Sequence, residues 1–224
     1  MSVTTGGPAT LLRAPAPRTA TLSAQPAVSA PRPAPAPAVP GIVAHDGLLP
    51  LDEQKALLAF LKGPGWAYGA FSDPEGGRYL YKHFAGVVTD GREALDPAVF
   101  EETLEQTAPL VASLWRRLKA SHLAGHKLTR CYANGYPAGS EGSLHRDSNV
   151  ATHFTAIYYP HLSWKPNYAG ETVFFDDAEQ EIIASVYPRP NRLAVFPGVI
   201  PHVARAASRA CPEMRITLMF KTMT

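Results

Sequence analysis

Helical patterns in the first half of the chain and many short alternating stretches in the second predict a mainly β protein with supporting α-helices. The architecture expected is a double-stranded β-helix, or jelly roll, braced on one side. Length agrees, because 224 residues with 46% hydrophobic content can bury one substantial core. Spacing agrees too. The two segments richest in potential chemistry, Leu144-His145-Arg146-Asp147 and Pro201-His202, leave 55 residues from Asp147 to His202, room for several antiparallel strands.

Residues 1–40 hold nine Pro and ten Ala with no acidic residue and no aromatic, so they cannot bury enough apolar surface to offset the entropy of ordering. They are expected to form a flexible, partly polyproline-like tail before a single domain at 41–224. Within the domain, helical support is expected over about 50–122 and the jelly-roll core over about 127–222.

The first helix is expected over 52–62, where Leu57, Leu58 and Leu61 share a face and acidic residues occupy the first turn. A strand is expected from Arg78 to Val88. A longer helix should begin at Asp96-Pro97, with Asp as cap and Pro at the first helical position. Its stripe runs through Phe100, Leu104, Val111, Leu114, Trp115 and Leu118, and Pro109 should kink or divide it. Seven further strands are expected at 127–134, 150–159, 171–175, 181–187, 192–196, 202–206 and 214–221.

Charge narrows the partners. Without the tail's Arg13, Arg18 and Arg32, eighteen basic residues face nineteen acidic ones, so the domain lacks the basic excess of a nucleic-acid binder. The compact cluster Arg116-Arg117-Leu118-Lys119 falls on a helix and reads as a solvated face. No apolar run is long enough to span a membrane. Two cysteines, Cys131 and Cys211, are too few for a disulfide scaffold, and a cytoplasmic location is the default.

Residues i and i+2 of an extended chain project from the same face, so His145 and Asp147 can reach one metal ion, with His202 supplied by a strand returning beside them. Two imidazoles and one carboxylate form the facial triad that holds ferrous iron and leaves three positions open. Alone, His-x-Asp arises by chance among eight histidines and nineteen acidic residues. The surrounding sequence gives it weight. Thirteen residues beyond His202, the stretch Arg215-Ile216-Thr217 begins an alternating strand whose guanidinium and hydroxyl share a face, suited to one carboxylate.

Four ordered blocks between Lys127 and Lys221 carry a resemblance: Arg130-Cys131-Tyr132-Ala133-Asn134-Gly135-Tyr136; Leu144-His145-Arg146-Asp147; Tyr168-Ala169-Gly170-Glu171-Thr172-Val173-Phe174-Phe175; and Pro190-Asn191-Arg192-Leu193-Ala194-Val195-Phe196 followed by Pro201-His202. Together they resemble the iron(II)- and 2-oxoglutarate-dependent dioxygenases, closest to the prolyl 4-hydroxylase-like branch. The resemblance implies His145, Asp147 and His202 as catalytic metal ligands, with Fe(II), O2 and 2-oxoglutarate required and ascorbate as a stimulant. It implies Arg215 as partner of the cosubstrate's far carboxylate, with Thr217 and Tyr132 as further cosubstrate contacts. Because related halogenases replace the carboxylate ligand with a small residue, Asp147 points to hydroxylation.

The chain departs from the pattern in having Arg215 where collagen-type enzymes usually carry Lys, and Ala169 where the family more often has Gly, a change expected to leave the strand intact. Arg209 and Arg215, six apart, also resemble the paired arginines of nucleic-acid demethylases, although Arg209 beside Cys211-Pro212 reads as loop. Asn134 is a candidate cosubstrate or substrate contact. Trp164 is expected in a loop near the barrel mouth, where packing is the favoured role. His45, His83, His122, His126, His153 and His161 are not assigned to iron. The expected reaction is hydroxylation of a prolyl residue, a free amino acid or a small metabolite. Nucleic-acid demethylation and a non-catalytic jelly-roll binding protein are the alternatives.

Overall fold

In the computed structural model, which describes residues 41–86 and 97–224, ten strands and three helices are found among the described residues. The expected tail at 1–40, the capping Asp96 and the end of the strand toward Val88 lie outside the described residues.

The strands are β1 (Val43–Asp46), β2 (Ala67–Ala70), β3 (Tyr79–Gly86), β4 (Lys127–Tyr136), β5 (His153–Tyr159), β6 (Thr172–Phe175), β7 (Ile182–Val186), β8 (Arg192–Pro197), β9 (His202–Ala204) and β10 (Arg215–Met223). A seven-stranded sheet runs β1-β8-β5-β10-β4-β3-β2, and a three-stranded sheet runs β7-β6-β9. Every pairing is antiparallel. The mainly β architecture with a helical brace is the one expected, and each of the eight expected strands is present. The four-residue edge strands β1 and β2 were not expected.

Alternation divides the larger sheet into two faces. Ile216, Leu218 and Phe220 of β10 and Cys131 and Ala133 of β4 join one buried cluster with the helices. Ile157 and Tyr159 of β5, Ala194 and Phe196 of β8 and Met219 of β10 join Phe174 and Val186 of the smaller sheet in a second cluster, the barrel interior. Helix α1 (Leu51–Lys62) buries Leu57, Leu58 and Leu61 as its spacing requires. Its last carbonyls are capped by the ammonium of Lys82, which donates to Phe60, Leu61 and Gly63 at 3.0–3.3 Å.

Pro109 divides the long helical pattern into α2 (Pro97–Thr107) and α3 (Pro109–Lys119), with Pro at the start of the second. Phe100, Leu104, Val111, Leu114, Trp115 and Leu118 are all buried, and Trp115 stacks on Phe220 at 5.7 Å between ring centres. The basic cluster of α3 pairs with carboxylates: Arg116 with Glu105, Arg117 with Glu53, Lys119 with Glu101. Cys131 is fully buried among apolar residues, and burial pushes its thiol well up. No helix among the described residues is long and apolar enough to cross a membrane.

Candidate metal centre and cosubstrate pocket

After β4 the chain runs along the free edge of β9. Gly142 donates to Ala204, and His145 and His202 exchange backbone hydrogen bonds at 3.1 and 2.9 Å. This bridge brings together histidines that are distant in sequence. Arg146 turns outward to Asp177 and the Val199 carbonyl, so its neighbours His145 and Asp147 turn inward.

Ligand atoms of His145, Asp147 and His202 lie within 4.8 Å of one another, the only such group of three or more metal-binding side chains among the described residues. Each imidazole places Nδ1 2.9 Å from a backbone carbonyl, Ser143 for His145 and Ile200 for His202. A carbonyl can only accept, so Nδ1 carries the proton and the Nε2 lone pair is free for a metal. Both Nε2 atoms lie 3.3 Å from Asp147 carboxylate oxygens. Lone pairs and a carboxylate converging this closely form an electron-rich pocket that fits a divalent cation.

Burial alone would raise the Asp147 carboxyl, but the Lys221 ammonium beside it outweighs burial and holds the group well below the usual carboxylate range. Lys221 forms an ion pair with Asp147 Oδ2 and donates to Thr155 Oγ1 at 3.0 Å. Thr155 itself donates to Asp147 Oδ2. The interior wall is apolar, with Phe196 edge-on to His202 at 4.7 Å and Phe174 edge-on to Phe196 at 4.8 Å.

Arg215 is 1% exposed, and no carboxylate pairs with it among the described residues. Its Nε donates to the Gly170 carbonyl at 2.6 Å and one terminal nitrogen to Thr172 Oγ1 at 3.2 Å. Tyr159 Oη lies 2.8 Å from the same Thr172 hydroxyl. Rings of Tyr136 and Tyr159 flank the guanidinium at 5.5 and 5.8 Å. A buried charge without a counter-ion is costly, so this pocket fits an anion. Phe174 pairs with His202 and Thr172 lies two residues further along β6, a separation of roughly 7 Å. That spacing suits a five-carbon dicarboxylate held by the triad at one end and Arg215 at the other.

Gly170 is required here. It has φ of +85°, and a Cβ would sit 3.1 Å from Arg215 Cδ. Ala169 has φ 53° and ψ −141°, a region that favours glycine. The strand beyond it is intact, as expected, but the backbone at Ala169 is strained.

The remaining expected contacts are distributed along the barrel. Thr217 is buried on the same face as Arg215, yet the hydroxyl beside the guanidinium is that of Thr172. Tyr132 faces inward near Asp147 rather than Arg215, and burial followed by the Asp147 charge pushes its phenol up. Asn134 pairs with Thr217 in register, and its buried Oδ1 has no hydrogen-bond partner. Arg209 is exposed on a turn while Arg215 is buried, so the two do not share a pocket. Trp164 packs against Ala207 and Cys211 and donates to the Ala169 carbonyl. Lys221, Tyr159 and Thr172 were not assigned from sequence. Alternation along β10 and β5 could have flagged Lys221 and Tyr159, and Thr172 lay within a block already singled out.

A cleft of about 570 Å³ is lined by Leu144, Phe175, Val203 and Arg205 among others. None of His145, Asp147, His202 and Arg215 lines this cleft.

No family model and no curated protein matches the sequence. Solved structures match in fold. A Pseudomonas putida prolyl-4-hydroxylase is 20% identical over 82% of this chain and 92% of its own, with a TM-score of 0.52. A Trichoplax adhaerens prolyl hydroxylase, in complex with a hypoxia inducible factor peptide fragment, is 17% identical over 82% and 83%, with a TM-score of 0.52. HygX from Streptomyces hygroscopicus, with nickel and 2-oxoglutarate bound, is 13% identical over 82% and 82%, with a TM-score of 0.55. The fold is therefore that of the 2-oxoglutarate- and iron(II)-dependent oxygenases.

Proposed function

We propose that this protein is an iron(II)- and 2-oxoglutarate-dependent oxygenase that hydroxylates an unactivated C–H bond of a prolyl residue, a free amino acid or a small metabolite. The observation that carries the reading is the pairing of a carbonyl-oriented His145/Asp147/His202 triad with a buried, counter-ion-free Arg215 in one barrel interior. Prolyl hydroxylases with this fold, one bound to a peptide, keep proline among the substrate classes.

His145, Asp147 and His202 would hold iron on one side, leaving the other coordination positions for cosubstrate and oxygen. A bound iron(II) and 2-oxoglutarate pair supplies the oxidation, with O2 consumed, succinate and CO2 released and one oxygen atom placed in a C–H bond of the substrate. Thr155 orients the Asp147 carboxylate. Arg215, Thr172 and Tyr159 would grip the far carboxylate and so fix the keto acid's direction. Phe174, Phe196, Ile157 and Met219 line the interior and keep water from the reacting carbon. Free, buried Cys131 and Cys211 suit the reducing, cytoplasmic setting that ferrous iron needs. Ascorbate would serve as a reductant that keeps the iron ferrous.

Iron-dependent succinate release from 2-oxoglutarate tests the proposal. Wild type should turn over in the presence of substrate, His145→Ala should lose activity by at least a thousandfold, and ascorbate should prolong turnover. Absent turnover across prolyl peptides, amino acids and a metabolite extract would favour a non-catalytic binding protein, and iron-independent turnover would contradict the metal role of the triad. Nucleic-acid demethylation would instead require Arg209, which is exposed on a turn whereas Arg215 is buried.

A further inference from the structure

The wall of the barrel formed by β3, β4 and β10 carries cations that the metal and the cosubstrate leave unused. Arg130 and Lys221 are direct partners in the antiparallel register of β4 and β10. Both turn inward: Lys221 reaches Asp147, and the Arg130 guanidinium lies 4.4 Å over the ring of Tyr132, two residues along the same face. Like charges placed opposite one another on neighbouring strands are destabilising, more so where water is scarce.

Arg130 Nε is buried without a hydrogen-bond partner, and no carboxylate pairs with this side chain among the described residues. Two more orphaned atoms lie along the same wall, His83 Nδ1 on the strand position facing Tyr132 and Asn134 Oδ1 on the position facing Thr217. Without a metal, Lys221 neutralises Asp147; a divalent ion at the triad would take over that carboxylate's negative charge. In the loaded site, the divalent ion and Arg215 together match the charge of Asp147 and a dicarboxylate cosubstrate. Arg130 and Lys221 are then left without counter-charge on the inner wall of the barrel.

We infer that Arg130 and Lys221 form an oxyanion subsite, and that the substrate is a small organic acid whose carboxylate seats between them. The inference rests on the oxygenase reading of the triad and narrows its substrate class. Asn134 and His83 are placed to accept from or donate to the rest of such a molecule.

Protein loaded with Ni2+ and 2-oxoglutarate, which cannot turn over, is titrated with small acids and their primary amides: acetate against acetamide, benzoate against benzamide, and proline against prolinamide. Binding is read by calorimetry and by the shift in melting temperature. The acids should bind at least tenfold more tightly than the amides. Arg130→Met should remove that preference, and Arg130→Lys should retain part of it. Equal binding of acids and amides, or a full acid preference in Arg130→Met, would overturn the inference. Failure of Ni2+ and 2-oxoglutarate to bind wild type would instead remove the oxygenase reading. The acid and amide comparison on metal-free Asp147→Asn, in which Lys221 loses its counter-ion, with Arg130→Met as control, would then decide the oxyanion subsite by itself.

Discussion

Lys221 shows how one side chain can hold a site together before its ligands arrive. Its ammonium neutralises Asp147, a carboxylate with 9% side-chain exposure among two imidazoles. Removing one partner of a buried ion pair costs more than the pair contributes, so Lys221→Met should destabilise the metal-free protein by about 3 kcal/mol in urea denaturation. Added Ni2+ should restore most of that loss, because the metal replaces the ammonium as counter-charge. Equal losses with and without Ni2+ would count against this role. His161 makes a second residue-scale case. Its Nε2 accepts from the Ile216 N–H at 3.0 Å, so Nδ1 carries the proton, 3.5 Å from Glu213. Burial, only partly offset by Glu213, lowers the imidazole from 6.5 to about 4. The neutral ring belongs to the folded state. Its contribution is therefore complete above pH 6.5 and lost as pH falls toward 4, up to roughly 3 kcal/mol. Urea midpoints measured across that range should fall for wild type and fall less for His161→Gln. The ligands were legible in the sequence because His-x-Asp, the later His and the later Arg are chemically distinctive at fixed spacing. Lys221 was not, since a lysine near a strand end reads as a solvated terminus until register turns it inward.

At the scale of elements, Gly170 and Ala169 set the approach to β6. The carbonyl of Gly170 holds Arg215, while Ala169 occupies a backbone conformation that glycine adopts without strain. Ala169→Gly should stabilise the protein by about 1 kcal/mol, seen as a higher melting temperature; a lower one would show that the Ala169 methyl contributes more than its strain costs. Helix α3 braces β10 through Trp115 and Leu118, both buried against Phe220's cluster. Leu118→Ala should cost about 3 kcal/mol and weaken 2-oxoglutarate binding with it, because the other face of β10 carries Arg215. An equal affinity after that loss would show that the pocket does not depend on the brace. The helices and eight of the strands were readable from periodicity, and Pro109 marked the division between α2 and α3. Strands β1 and β2 were not readable. Each is a four-residue edge strand, largely exposed, with no alternation of burial to mark it.

For the whole molecule, the barrel works by enclosing opposite charges along one axis. The triad collects negative charge at one level of the smaller sheet, and Arg215 presents positive charge about two residues further along. The Arg215 end has no counter-charge among the described residues and the triad end has only Lys221, and one dicarboxylate bridging a divalent metal to Arg215 satisfies both. Sequence could name these groups but not their separation, which depends on the pairing of β6 with β9 and on Gly170 meeting Arg215. The most direct test is an anaerobic titration of the protein with Fe2+ and then 2-oxoglutarate, following the visible charge-transfer absorption that a chelated keto acid gives with ferrous iron. One iron per chain should produce the band in wild type. Asp147→Ala should produce none, and Arg215→Met should need at least tenfold more 2-oxoglutarate to reach the same absorbance. A band that persists unchanged in Asp147→Ala, or that never forms in wild type, would contradict the account.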